Sequence, residues 1–430
     1  FVPAYYAATV KMHKQPPAMR YLACSHRCSS TDISDLITAI LRATSSAFIQ
    51  LWTDTLPDFT PWYCLSSTAA IKLVHTFNAR QLPLPLLPAQ AYDFTRLYTN
   101  IPHDLLRTTI STLVAAAISH IFNNTTHQPV WPFILVRTTL YPNDPNKKPH
   151  HHVTFTVTPT VHPYRRVGNT ITRCFSLTDF DTMFHTLLSS TFIKFGPALV
   201  QQVCGIPMGI SAAPFIANLF LAWFEYQFLC QSLNPNLSLV ARATLNAFRF
   251  STRFLDDLLS LQNPHLANLL YTNLSYLNLH GIYPPTLRVE PQHHTHLLHQ
   301  EMPFLDILLI PDTSSTSCRL ITHLYDKRVQ PAFFNIRLSR FVHLSSNVND
   351  SCKRNILTSQ IHRLSRIITD PTNFCFEVAL VIRALQAQAY PIHRLLQQTR
   401  TFISTNPFLY HHSRTTPPRL DLFTTIHCQL

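Results

Sequence analysis

The sequence predicts an α+β fold, because short apolar strands that carry carboxylates are interspersed with longer segments of helical periodicity. The run from Arg253 to Leu261 places Asp256 and Asp257 between apolar flanks, a pattern typical of a β-hairpin with a polar tip. With 430 residues and 46% hydrophobic content, the chain is long enough to bury a sizeable core. Helical spacing is predicted over residues 33–53, 66–79, 215–228, 352–368 and 374–388.

The aspartate doublet indicates a cation site. Two adjacent carboxylates among apolar residues repel each other unless a positive charge compensates them. Such carboxylates are suited to hold two divalent ions about 3.5–4 Å apart, the arrangement that nucleotidyl transfer requires. The alternative interpretation of Asp256 and Asp257, taken by themselves, is a solvated turn.

Two upstream segments carry further polar residues that suit such a site. Asp93 ends a short apolar stretch, and Tyr98 follows five positions later. The Gly-Ile-Pro-Met-Gly segment from Gly205 to Gly209 holds two of the five glycines of the chain. Glycine tolerates positive φ and close approach to a ligand, so one of these two demands is expected there. Pro214 suits the first turn of the helix that follows.

These segments resemble motifs A, B and C of reverse transcriptases, and most closely those of Penelope-like retroelements, which are relatives of telomerase. Lys11, Lys14 and Arg20 lie in segments that resemble the basic fingers motifs of the family. Further segments that resemble its post-palm and thumb motifs are Met302–Asp306, Leu324–Lys327 and Ala389–Pro391. The similarity extends over about residues 1–400.

The resemblance implies a right-hand polymerase fold, with fingers, a palm built on an antiparallel sheet and an α-rich thumb. We assign the fingers to residues 1–90, the palm to 91–310, and the thumb with a C-terminal tail to 311–430. A segment rich in proline and histidine at about 126–169 is interpreted as an insertion in the palm. Within it we expect an exposed loop at His150–His152 and a strand at Val153–Val157.

The resemblance also implies a role for each motif residue. Asp93, Asp256 and Asp257 would be the catalytic carboxylates and would hold two Mg²⁺ ions, with Mn²⁺ as a substitute. Tyr98 would lie under the sugar and exclude a 2′-hydroxyl, unless it is an ordinary core tyrosine. Met208 would contact the incoming nucleotide by shape rather than by hydrogen bonds. The remaining predicted nucleotide-binding residues are Lys11, Lys14, Arg20 and Gly209, and the alternative for the three basic ones is a solvated face.

One catalytic group lacks a candidate. Many polymerases use a lysine after the doublet to protonate the leaving pyrophosphate, but no lysine occurs between Leu258 and Pro303. Arg288 could stabilise charge there but is a poor proton donor. The general acid is therefore unassigned, and His280 is the one histidine considered for this role.

Charge indicates a polyanionic partner. The net charge is +13 and the sequence pI is about 9.4, which favours nucleic-acid binding. The predicted thumb carries much of this excess, and we expect four of its basic residues to grip the backbone of a template-primer duplex, away from the metals. These residues are Lys327, Arg328, Arg337 and Arg340.

Cysteine and apolar patterns bear on the compartment. The ten cysteines form no Cys-x-x-Cys pair, so a disulfide framework or a zinc site is not indicated and a reducing compartment is expected. The histidines at 293–299 are interpreted as an exposed loop. The longest apolar stretch, Phe215–Phe224, is interrupted by Asn218, so we expect no membrane partner. We expect an intracellular, nuclear protein. We also expect a fragment or a processed product, because the sequence starts at Phe1.

The function that these observations predict is RNA-directed DNA synthesis by two-metal phosphoryl transfer, within a Penelope-like retroelement. Its partners would be an RNA template, a DNA primer and dNTPs. The alternative is a domesticated, non-catalytic nucleic-acid-binding protein that retains the fold. The three aspartates argue against this alternative, because buried carboxylates are costly where no metal is bound.

Overall fold

The computed structural model describes the chain except for residues 1, 12–17, 26–27, 65, 84, 124–131, 145–146, 159–162, 293–300, 315, 330–338 and 407–418. The helices in this part of the chain are α1 Thr31–Thr55, α2 Ser67–Ala79, α3 Leu97–Asn100, α4 His103–Asn123, α5 Leu177–Ser189, α6 Ala213–Cys230, α7 Leu239–Asn246, α8 Leu266–Leu269, α9 Asp350–Ile367, α10 Pro371–Gln386, α11 Ile392–Thr405 and α12 Arg419–Cys428. The five long helices predicted from periodicity lie within a few residues of α1, α2, α6, α9 and α10.

The strands are β1 Ala4–Lys11, β2 Ala18–Cys24, β3 Gln90–Thr95, β4 Phe133–Thr139, β5 His150–Thr156, β6 Tyr164–Val167, β7 Thr170–Ser176, β8 Phe192–Phe195, β9 Ala198–Gln201, β10 Ser251–Phe254, β11 Asp257–Ser260, β12 Arg288–Pro291, β13 Met302–Phe304, β14 Ile307–Pro311 and β15 Leu320–Leu324. In the described residues they form four sheets, with strand orders β2-β1-β8-β9, β10-β11-β3-β12, β13-β14-β15 and β5-β4-β7-β6.

The sheet β10-β11-β3-β12 is antiparallel throughout and positions the candidate site. The predicted hairpin is confirmed, but its two-residue turn is Leu255–Asp256 rather than the aspartate doublet, so Asp257 is the first residue of β11. β11 then pairs with β3, and β12 covers the other edge of β3. Segments that are far apart in the sequence therefore meet on one sheet.

The segment predicted as an insertion, about residues 126–169, contributes β4, β5 and β6 to a separate sheet, and the fourth strand, β7, lies beyond its predicted end. β4 lies between β5 and β7 in antiparallel register, and β6 pairs with β7. The prediction of a loop at His150–His152 is wrong, because these residues form the start of β5 and pair with Thr139, Thr138 and Arg137. Valine and threonine continue the strand pattern after the histidines, and this β-propensity outweighs the polarity of the tract.

Most of the buried apolar side chains in the described residues belong to two large hydrophobic cores, and a third, small cluster consists of Ala4, Ala23 and Ile193. The first surrounds α1, α4 and α6 and includes the inner face of the sheet that carries β3. The second joins α9 and α10 to β14 and β15, and it also includes α2. The helix α2, predicted as part of the fingers, therefore packs with the C-terminal helices.

Helix α4 is a long apolar helix that the sequence analysis did not single out. Within the described residues it is the one helix long and apolar enough to cross a membrane by length and composition. Its side chains Leu106, Ile110 and Leu113 are 0% exposed, and the helix packs against α1, α5 and α6. A helix in the core of a protein can have the same length and apolar composition as a membrane-spanning helix.

Candidate active site

The three predicted carboxylates meet at one end of the sheet. Asp257 on β11 lies directly opposite Asp93 on β3, and Asp93 lies directly opposite Glu290 on β12. Residues that are directly opposite in an antiparallel pair share a face, with Cβ atoms about 4.5–5.5 Å apart. Asp257, Asp93 and Glu290 therefore form a row of three carboxylates on one face of the sheet. Glu290 was not among the carboxylates predicted from the sequence. The alternation of Arg288, Val289 and Glu290 was the available signal.

Asp256 is held next to this row by the hairpin turn. Its carbonyl oxygen accepts a hydrogen bond from the Phe94 amide at 3.0 Å, which fixes the turn against β3. The preceding Leu255 has φ of 53°, a left-handed conformation that is strained for leucine and that hairpin turns usually reserve for glycine. This strain needs support from the surrounding structure.

The support comes from Arg253 on the opposite face of the sheet. The Arg253 side chain is 0% exposed, and its Nη1 donates to the Leu255 carbonyl at 2.8 Å. Its Nε donates to Glu225 Oε1 of α6 at 2.5 Å. The remaining donors reach Asn218 Oδ1, the Asn218 carbonyl and Glu225 Oε2, so all five guanidinium donors are used.

Glu225 is also fully buried and takes a further hydrogen bond from the Tyr283 hydroxyl at 2.8 Å. Burial disfavours the charged form of Arg253, but the paired Glu225 outweighs burial and raises the pKa of Arg253. Burial and the neighbouring Glu225 raise the pKa of Tyr283 well above its ordinary value. This network links the helix that follows Gly209 to the aspartate hairpin, and the sequence analysis missed it.

On the carboxylate face, the charge of Asp257 is compensated less fully by the described residues. Burial, followed by the charges of Asp256 and Asp93, raises the pKa of Asp257 to about 6. Gln292 Nε2 donates to Asp257 Oδ1 at 2.8 Å and opposes the rise. The raised pKa of Asp257 means that its negative charge is poorly satisfied by the protein, which is the state that an added cation would relieve.

The donor set fits Mg²⁺ or Mn²⁺, which prefer carboxylate oxygens. Within the described residues, no group of three or more His, Cys, Asp or Glu side chains forms a metal site by itself. Mg²⁺ is commonly held by one or two carboxylates together with water and substrate phosphates. Asp93 with the Asp256–Asp257 doublet suits an open site of that kind rather than a closed protein cage.

Tyr98 lies close to the carboxylates, as predicted. It is half-buried, and burial together with the charge of Asp256 raises the pKa of its hydroxyl to about 12. Its carbonyl accepts a hydrogen bond from the Ile206 amide at 2.7 Å. The Gly205–Gly209 segment therefore supports the backbone that carries Tyr98.

The two glycines of that segment are confirmed as positions that need positive φ, with values of 83° for Gly205 and 96° for Gly209. A Cβ on Gly205 would lie 2.3 Å from the Tyr98 carbonyl oxygen, and one on Gly209 would lie 2.0 Å from the Ala23 carbonyl oxygen. Both glycines thus approach protein backbone closely, Gly205 that of α3 and Gly209 that of β2. Met208 is half-buried and lines a cavity of about 190 Å³ together with Ala23 and Thr99.

An open cavity of about 670 Å³ lies beside the carboxylates, lined by Thr95, Arg96, Thr99, Thr286 and Arg288, among others. Arg288 lies directly opposite Thr95, two residues along β3 from Asp93 and on the same face. Two residues of strand span about 6.6–6.8 Å. Neither Arg96 nor Arg288 forms a salt bridge among the described residues, so both charges face a space next to the metal-binding candidates.

Other predicted residues are placed less completely. Lys11 and Arg20 lie on the paired strands β1 and β2, where Arg20 is opposite Thr9; their side chains, and Lys14 as a whole, lie outside the described residues. His280 has its backbone tied to Gln231, at the C-terminal end of α6. Arg288, which was considered for charge stabilisation, lies on the face of the sheet that carries Asp93.

The predicted thumb residues differ in their surroundings. Lys327 is exposed, and its charge lowers the pKa of Asp257, so it lies nearer the carboxylates than we expect from the sequence. Arg328 is paired with Asp326, with Nε to Oδ1 at 2.9 Å. Arg340 donates to Gln360 at 2.8 Å and lies 5.2 Å from the centroid of the Phe341 ring. Arg337 lies outside the described residues.

Comparison with known proteins supports the fold at low sequence identity. The sequence matches no curated protein. Residues 340–401, which span α9, α10 and most of α11, match the family of animal helix-turn-helix domains. The structure of a telomerase from Candida albicans, solved with a TWJ fragment of telomeric RNA, superposes with a TM-score of 0.56 and 12% identity.

That alignment covers 99% of this chain, which spans only 64% of the telomerase chain. An apo telomerase from Candida tropicalis aligns over 100% of this chain and 62% of its own, with a TM-score of 0.44 and 11% identity. The Sicinivirus 3Dpol RNA-dependent RNA polymerase covers 81% of this chain and 55% of its own, with a TM-score of 0.32 and 12% identity. The last two likenesses are too distant to carry an argument. The mixed helices, the antiparallel sheet with its carboxylate hairpin, and the Candida albicans superposition together establish that this chain has the right-hand polymerase fold, similar to that of telomerase.

Proposed function

We propose that the chain is an RNA-directed DNA polymerase that adds dNTPs to a primer 3′ end, and that it derives from a Penelope-like retroelement. The observation that carries the proposal is the convergence of Asp93 on β3, Asp257 on β11 and Asp256 in the turn before β11, with Tyr98 next to them. A solvated turn would not bring three carboxylates from two distant segments to one end of a sheet.

Each residue has a role that its position supports. Asp93, Asp256 and Asp257 would hold two Mg²⁺ ions, or Mn²⁺, whose chemistry is to lower the pKa of the primer hydroxyl and to stabilise the leaving pyrophosphate. Tyr98, beside Asp256, would exclude a 2′-hydroxyl and so select dNTPs. Arg96 and Arg288 would neutralise phosphate charge in the cavity next to Asp93. Since arginine does not give up its proton, these two residues would stabilise the leaving group electrostatically.

Primer extension tests the proposal. The full chain is incubated with poly(rA), an oligo(dT) primer and dTTP, with Mg²⁺ or Mn²⁺, and Asp256→Asn serves as the matched inactive control. We expect extension by the parent alone, and extension that is stronger on poly(rA) than on poly(dA). Template binding without extension under either metal would instead favour the non-catalytic alternative.

A further inference from the structure

A second cavity lies far along the chain from the carboxylates, within the helices that match the helix-turn-helix family. It has a volume of about 430 Å³ and lies between α9, α11 and the connection that joins α10 to α11. Its apolar floor consists of Leu357, Leu385 and Leu395, which are at most 3% exposed. Ligand pockets in proteins commonly have volumes of about 300–1,000 Å³ and apolar walls with a few polar groups.

Tyr390 provides the unusual polar group of this cavity. The side chain lines the cavity and is 8% exposed, and its hydroxyl is buried without a hydrogen-bond partner in the described chain. Leaving a buried hydroxyl unpaired costs about 1–3 kcal/mol. The preceding Ala389 has φ of 67°, a strained conformation for alanine. The Tyr390 amide donates to the Leu385 carbonyl at 3.2 Å, so the strained turn is held in place.

The rim of the cavity is basic. Arg354 on α9 and Arg394 on α11 are exposed, and neither forms a salt bridge among the residues described. Lys353 is committed elsewhere, because its Nζ contacts Asp350 at 2.8 Å and the carbonyls of Leu344 and Ser346. Asp350 also lines the cavity, but its charge is compensated by Lys353, which together with Arg354 lowers the pKa of Asp350. Over residues 340–401 there are eight Lys and Arg against three Asp and Glu.

We propose that this cavity binds one unpaired nucleotide of a single-stranded nucleic acid, with the base inside and the adjoining phosphates on Arg354 and Arg394. A base combines a flat apolar ring, which suits the leucine floor, with a hydrogen-bonding edge that satisfies the Tyr390 hydroxyl. An aliphatic chain would leave that hydroxyl unpaired. Guanidinium groups pair with phosphate oxygens in a planar fork, and single-strand binding sites commonly combine basic grooves with base-sized apolar surfaces.

Binding of short labelled oligomers to the full chain tests this site. The probes are oligo(U) RNA, oligo(dT) DNA and an abasic oligomer of the same length and charge. We expect both base-bearing probes to bind about tenfold or more tightly than the abasic probe, because the base contributes contacts that the backbone lacks. Tighter binding of the RNA or of the DNA probe would show which of the two nucleic acids the site prefers. Equal affinity of the base-bearing and abasic probes would overturn the proposal.

Matched charge removals separate the cavity from general electrostatics. Arg394→Ala removes one charge from the rim, and Arg366→Ala removes one charge from α9 about three turns beyond Arg354. We expect Arg394→Ala to weaken oligo(U) binding about tenfold and Arg366→Ala to weaken it less than about threefold. Equal losses would show that only the overall charge matters.

Tyr390→Phe keeps the ring and the packing of the cavity but removes the hydroxyl. We expect it to weaken oligo(U) binding about five- to tenfold and to leave abasic binding unchanged; equal effects on both probes would count against the site. 4-Thiouridine in the RNA should crosslink to residues 354–398, and crosslinks confined to other segments would exclude the site. Asp256→Ala should bind and crosslink like the parent, so the inference stands or falls separately from polymerase activity.

Discussion

Two hairpins of this chain share a Phe-Leu-Asp sequence but differ in the charged groups that surround the aspartate. In both, the turn leucine has positive φ, 53° at Leu255 and 59° at Leu305. In both, the aspartate carbonyl accepts a hydrogen bond from another strand or its end, at 3.0 Å for Asp256 and 2.9 Å for Asp306. The Asp306 carboxylate is paired with Arg363 of α9, at 2.6 Å. The Asp256 carboxylate instead lies beside Asp93 and Asp257.

The comparison separates a structural aspartate from a candidate catalytic one. The same local sequence forms the same turn, and the neighbours then decide whether the carboxylate is neutralised by the protein or is left for a cation. Beneath the first hairpin the pattern is reversed, because Arg253 and Glu225 form a closed and fully buried pair. One hairpin thus carries a closed ion pair on one face and, on the other, an aspartate, Asp257, whose pKa is raised by burial and by neighbouring carboxylates.

The largest expected effect is the loss of primer extension when the aspartate of the first hairpin is replaced. Asp256→Asn removes a candidate metal ligand, so primer extension should fall by at least about 10³-fold, equivalent to about 4 kcal/mol in the barrier. Asp306→Asn, the matched change in the second hairpin, should leave extension within about tenfold. Thermal melting should show that Asp256→Asn is as stable as the parent. Similar activity losses in both variants would remove the distinction between the hairpins.

The buried pair beneath the first hairpin should govern stability. Arg253→Met leaves Glu225 buried and unpaired and should lower the free energy of unfolding by about 3–5 kcal/mol. The double variant Arg253→Met with Glu225→Met should recover most of that loss. As a control, Arg107→Ala breaks the partly exposed pair with Asp181 and should cost less than about 1 kcal/mol. Denaturant unfolding measures all three, and a mild Arg253→Met would contradict the role of the network.

Tyr98, beside Asp256, is expected to select dNTPs over rNTPs. Tyr98→Ala should raise incorporation of rNTPs relative to dNTPs by about 10–100-fold, because the ring that blocks the 2′-hydroxyl is removed while the carboxylates are untouched. Side-by-side extension with rNTPs and dNTPs gives the ratio. An unchanged ratio in an active variant would make Tyr98 an ordinary core residue.

The smallest effect concerns Asp257, whose position in the second hairpin is occupied by Ile307. Its pKa is about 6, above the ordinary value of 3.8, so between about pH 4 and 6 the folded chain retains a proton that the unfolded chain has lost. The free energy of unfolding should therefore fall as pH rises through this window. Asp257→Asn should remove about 1–2 kcal/mol of that loss above pH 6.

Melting of parent and variant from pH 4 to pH 8 tests the sign. The two curves should agree near pH 4, and the variant should be the more stable protein near pH 8. Mg²⁺ should stabilise the parent more than the variant, because bound metal compensates the same charge. A variant that is less stable at high pH would show that the carboxylate already has a full set of protein partners.

Local sequence determined much of the site. The hairpin at Asp256 was indicated by the apolar residues on both sides of the aspartates. The positive φ of Gly205 and Gly209 was indicated by the presence of two of the five glycines of the chain in one short segment. The boundaries of α1 and α9 follow from apolar spacing, because burial of one face dominates helix placement.

Tertiary structure decided which charges are compensated. The pairing of Asp93 with both Asp257 and Glu290 depends on strand register between distant segments, which a single sequence does not reveal. The burial of Arg253 against Glu225 depends on how α6 packs beneath the sheet, since an arginine in a strand is expected to be exposed unless a partner is placed beside it. Asp256 and Asp306 follow the same Phe-Leu sequence, but Arg363 of α9 pairs with Asp306, whereas Asp256 lies beside other carboxylates. Electrostatic compensation is a property of neighbours in space, so it emerges only when the chain is folded.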